Sequence, residues 1–89
     1  MAITRYAQPI LTENAIAACN PAQRATLEKA LTMGWRVNKI LTSHGVGSVV
    51  WVDTPNTSGC VLLDGSLARP IKGKKSVFVN STTLQRVWK

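Results

Sequence analysis

Acidic residues are scarce in this chain. Glu13, Glu28, Asp53 and Asp64 are the only four, against eleven Lys and Arg, for a net charge of +7. Cysteine is also rare. Cys19 and Cys60 form no CxxC pair, and His44 is the single histidine. A Cys/Cys/His zinc site would need a fourth ligand and a spacing that is absent, so no metal is expected. Two buried reduced thiols are expected, with a Cys19–Cys60 disulfide as the alternative. Nor is there a long apolar run. No uncharged stretch approaches the ~20 residues of a spanning helix, and no charged start leads into an apolar core as in a signal peptide. The expectation is a soluble, cytoplasmic protein without a membrane partner.

What is present describes a folded chain. Apolar residues make up 45% and charged residues 17% of 89 positions, outside the range of disordered sequences. The length suits one domain, residues 1–89, with a small core that buries about 60–65% of the unfolded surface. The texture changes at Gly34, so residues 1–33 are expected to be helical and 34–89 to be β.

Within the helical part, residues 1–9 read as a lead-in. Thr12 is placed to cap a short helix over "ENAIAAC", with Glu13 favourable in its first turn. Asn20-Pro21 closes that helix and opens a second over 21–33. Asn20 is the N-cap, and Gln23 stands where a capping box needs it. Leu27, Ala30 and Leu31 recur at helical spacing, and Gly34 is set to end the helix in a left-handed turn.

The β part is punctuated by Gly, Pro, Asn and Asp. "WRVNKILTS", "SVVWVDT" and "CVLLD" read as strands. Asp64-Gly65 signals a hairpin into "SLARPI", which Pro70 bars from the middle of a sheet. "KGKK" is a loop, "SVFVN" a strand, "STTL" a tight turn and "QRVWK" a last short strand. In the second strand Val50 and Val52 share one face, Val49 and Trp51 the other. In "SVFVN", Val77 and Val79 oppose Phe78. The expected architecture is α+β: two N-terminal helices, then a five-stranded antiparallel small barrel or curled sheet, because closure removes exposed edges.

Residues 34–88 resemble the SH3-like small barrels of the KOW or Tudor type. The matching pieces are Gly45, Gly47 and Val49, then Leu63, Asp64 and Gly65, then Val79, Leu84 and Val87. The resemblance implies a fold and leaves function open, since small barrels host many roles. The small plasmid-borne dihydrofolate reductases share that barrel and carry Val-Gln-Ile-Tyr on their functional strand. Here Val77, Phe78, Val79 and Asn80 take that place, so their activity is not expected.

Catalysis has little to stand on. His44 lies in a Gly-flanked loop beside Ser43, but a nucleophile and its base need contact in space and a third orienting group. The four carboxylates read as turn or helix residues rather than an acid–base pair. "HGVGS" lacks the Lys and the following helix of a phosphate loop. The chain is expected to be no enzyme and to need no cofactor.

Charge is distributed unevenly. Residues 1–35 hold three basic and two acidic residues, a sum of +1, whereas residues 36–89 hold eight and two, a sum of +6. Residues 67–89 carry six basic residues and no acidic one. Such a field attracts DNA, RNA or another polyanion. The expected contacts are Arg69, Lys72, Lys74, Lys75, Arg86 and Lys89 to phosphates, with Phe78 outward as a stacking face. The alternative at these residues is that "KGKK" is a solvated hairpin tip and Phe78 packs under a helix. The alternative function is a protein-interaction module, an adaptor or an inhibitor from a mobile element, with helix 21–33 as partner surface. Trp35 is expected to seal the helix–sheet junction and Trp51 to be core. Trp88 is either core or part of a partner surface.

Overall fold

The structure, a computed structural model, describes the backbone of residues 3–87 and the side chains of residues 10–87. It is α+β: two helices, α1 (Ile3–Ala18) and α2 (Pro21–Thr32), precede an antiparallel sheet. The strands β1 (Arg36–Ser43), β2 (Gly47–Asp53), β3 (Ser58–Val61) and β4 (Leu67–Ala68) lie in sequence order as a meander. Trp88 and Lys89 lie outside the described residues.

α2 forms as its sequence signals require. The Asn20 side chain accepts from the Gln23 N–H at 2.8 Å, and Gln23 Oε1 accepts from the Asn20 N–H at 3.0 Å. This reciprocal box satisfies two of the orphan donors at the helix start. At the far end Gly34 has φ +96°. Its N–H donates to Leu31 and the Trp35 N–H to Ala30, the paired bonds of a Schellman ending. That turn delivers Trp35 into the core.

The first helix corrects the expected lead-in. Residues 3–9 are helical, and Thr12 lies inside α1 rather than at its cap. Pro9 lacks an N–H for the helix ladder. The helix nevertheless runs through it, and beyond it Leu11, Ala15, Ile16 and Cys19 recur at helical spacing and pack onto the sheet core.

The sheet is covered on both faces. On one, Val37, Val50, Val52 and Val61 meet Ala15, Cys19, Leu27, Ala30 and Trp35 from the helical part. On the other, Val49, Trp51, Cys60 and Ala68 lie beneath Val77 and Leu84 of the C-terminal segment. The alternation in β2 therefore sends Val50 and Val52 to the helices, and Val49 and Trp51 to the segment. Trp35 and Trp51 are both buried, as expected.

The C-terminal segment corrects the expected strand count. The described residues hold a four-stranded sheet, and the ladders among them do not close a barrel. Among the described residues, "SVFVN" and "QRVWK" are joined by one isolated bridge, Val79–Arg86. β4 ends two residues before Pro70, which has no N–H for a ladder, and among the described residues no further strand extends the meander. The segment instead crosses the second face as a cover. Its backbone is tied to the sheet by Trp51 Nε1, which donates to the Val77 carbonyl at 3.4 Å, and by Ser43 Oγ, which donates to the Thr82 carbonyl at 2.8 Å.

Candidate functional site

Pro70 directs the chain away from β4, and a tight turn follows at once. The Lys74 N–H donates to the Ile71 carbonyl at 2.8 Å, and Gly73 between them has φ +86°. A positive φ at the third position of a four-residue turn favours glycine. This geometry sets Lys72 and Lys74 on either side of the turn apex, with Lys75 immediately after. All three are exposed.

Facing this loop is the β2–β3 connection. Thr54 organises it, since its Oγ1 accepts from the N–H groups of Asn56 and Thr57 at 3.3 and 3.2 Å. Between the two loops lies an open cleft of about 620 Å³. Arg69, Lys72, Lys74 and Lys75 line one side, and the uncharged Thr54–Ser58 turn lines the other. Ser58 Oγ donates to the Lys75 carbonyl at 3.4 Å and joins the walls. Among the described residues Asp53 is the one carboxylate lining the cleft, and its Oδ2 accepts from Asn38 Nδ2 at 2.9 Å. Four cations therefore share a concave surface with one carboxylate that already has a donor. That arrangement suits a ligand with spaced negative charges.

Arg69 is held at two points. Its guanidinium carbon lies 5.2 Å from the centroid of the Trp35 ring, within cation–π range. Its carbonyl accepts from Arg86 Nη2, so the last hairpin is fastened to the end of β4. Of the residues singled out from sequence, Arg69, Lys72, Lys74 and Lys75 thus come together, and Arg86 joins them through Arg69. Phe78 is 39% exposed, yet it does not line the cleft. Lys89 lies outside the described residues. The facing wall of Thr54, Asn56, Thr57 and Ser58 was not foreseen, because its residues are those of any hairpin turn.

Other reactive groups are engaged elsewhere. Ser43 Oγ donates to the Thr82 carbonyl, and His44 is exposed in the β1–β2 turn. Cys19 and Cys60 are free thiols on opposite faces of the sheet, which excludes a bond between them. Burial pushes both up, Cys60 to about 12 despite the nearby Lys39 ammonium. Neither is therefore a ready thiolate nucleophile. Among the described residues no three His, Cys, Asp or Glu side chains gather as a metal site, and no helix is long and apolar enough to cross a membrane.

Comparison with models of known families, with characterised proteins and with solved structures gives no match to this chain.

Proposed function

We propose that the protein is a small non-enzymatic nucleic-acid-binding module. It contacts the phosphate backbone through Arg69, Lys72, Lys74 and Lys75, with Arg86, Lys89 and Phe78 extending the surface. The observation that carries this reading is the cationic cleft, where four basic side chains face a turn of hydroxyl and amide groups. Lys and Arg give affinity for phosphate without reading sequence, and hydroxyls and amides add hydrogen bonds to phosphate and sugar. Residues 34–88 are read within this proposal as an SH3-like small barrel of the KOW or Tudor type, a scaffold that displays such a loop on a rigid edge.

The test is a fluorescence-anisotropy titration with labelled DNA and RNA of arbitrary sequence across a salt series. The expected result is binding at low salt that weakens steeply as salt rises, by about one log unit in affinity per log unit of salt for each phosphate engaged. An absence of binding to either polymer at low salt would overturn the reading. A protein partner retained from lysate after nuclease treatment would then favour an adaptor or inhibitor.

A further inference from the structure

Arg69 lines a second cavity as well. A notch of about 330 Å³ opens between the end of α2 and β4, and Arg69 lines both it and the loop cleft. Ala30, Met33, Trp35 and Leu67 provide its apolar lining, and Lys29 and Arg69 its charge. Met33 is 67% exposed. Trp35 is buried and holds the Arg69 guanidinium in place, while Arg86 holds the Arg69 backbone. A planar cation resting on Trp35 thus lines both a cationic cleft and an apolar notch.

Phosphate contacts alone do not distinguish a duplex from a single strand. An apolar notch beside them does. In a duplex the bases are stacked and paired, and extruding one costs a few kcal/mol. An unpaired strand carries its bases within one nucleotide of each phosphate, ready to stack on an aromatic or guanidinium plane. Resting on the phosphate-binding reading above, we propose that the ligand is single-stranded nucleic acid. Its phosphates lie along the Lys72–Lys75 loop, and one neighbouring base enters the Met33–Trp35 notch against the Arg69 guanidinium. Lys29 at the rim adds attraction for the following phosphate.

The experiment compares three ligands on the full chain by anisotropy: a 12-nucleotide oligothymidylate, a 12-base-pair duplex and an abasic strand of the same length. The expected order places the oligothymidylate about tenfold tighter than the other two, the value of one stacked base. Arg69→Lys keeps the charge but loses the plane. It is expected to remove most of that advantage. Met33→Ala, at an exposed position, is expected to reduce the advantage about threefold without affecting the duplex. Should Arg69→Lys fail to fold, Met33→Ala and the abasic strand decide. Equal binding of all three ligands, or an advantage unchanged in both variants, would overturn the single-strand inference and leave the phosphate reading standing. No binding of any ligand would overturn both.

Discussion

Gly65 shows most directly how one residue serves the fold. Its φ is +88°, and a Cβ at this position would stand 2.9 Å from the Ala22 carbonyl oxygen. The β3–β4 turn presses against the start of α2, where Asn20 Nδ2 donates to the Leu63 carbonyl and Thr26 Oγ1 to that of Gly65. Gly65→Ala therefore meets both a left-handed backbone and a backbone clash. It is expected to cost about 2–3 kcal/mol, read as a lowered urea midpoint. Leu84 is the opposite case. It keeps φ +60° without being glycine, because its side chain is almost fully buried beneath the sheet. Burial of a leucine outweighs a strain of about 1 kcal/mol. Cys60 gives a pH prediction. Its folded value is about 12 against an ordinary 9.0, so above pH 9 the unfolded chain releases the proton and the folded chain retains it. Its contribution to stability is constant below about pH 9 and is lost as pH rises towards 12. Urea midpoints measured from pH 8 to 10 should decline, and less so in Cys60→Ala. Both thiols should react with a thiol reagent only at the rate of unfolding.

At the scale of elements, α2 was legible almost residue by residue. Asn20, Pro21, Gln23 and Gly34 each act through the local backbone, and local signals survive without tertiary knowledge. Gln23 also does something the sequence does not announce. It is buried, and its Nε2 donates to the carbonyls of Ser48 at 2.7 Å and Val61 at 3.3 Å. The cap is thereby locked to the sheet. Asn20→Ala should cost about 1–2 kcal/mol, since it removes the cap and the tie to Leu63. Gln23→Ala should cost more than a surface cap, because two buried carbonyls lose their donor. Thermal melts of the two variants check the order. α1 and the last strands were less legible. Residues 3–9, read as a lead-in, belong to α1, which runs through Pro9. The alternation in "SVFVN" correctly separated Val77 and Val79 from Phe78, but the same alternation suits a ladder strand and a covering segment.

For the whole molecule, the sheet separates two small cores and leaves the charge at its rim. Lys72, Lys74 and Lys75 are exposed and contribute nothing to either core. Replacing all three with Ala should leave the melting temperature nearly unchanged. It should also weaken binding to all nucleic-acid sequences alike and reduce the salt slope by roughly 2–3. Loss of affinity for some sequences only would contradict backbone contact.

The amino-acid sequence by itself determined the α+β division at Gly34, the ends of α2, the alternation in β2 and the acid-poor basic loop. Each of these depends on residues within a turn or two of one another. Only the tertiary structure decided that Cys19 and Cys60 lie on opposite faces, that the C-terminal segment covers the sheet instead of extending it, and that Thr54–Ser58 faces the lysines. It also decided that Arg69 lines both a charged cleft and an apolar notch. Most of those relations join residues far apart along the chain, as Cys19 and Cys60 or Trp35 and Arg69 are, and no local pattern of polarity records which distant surface a side chain will meet.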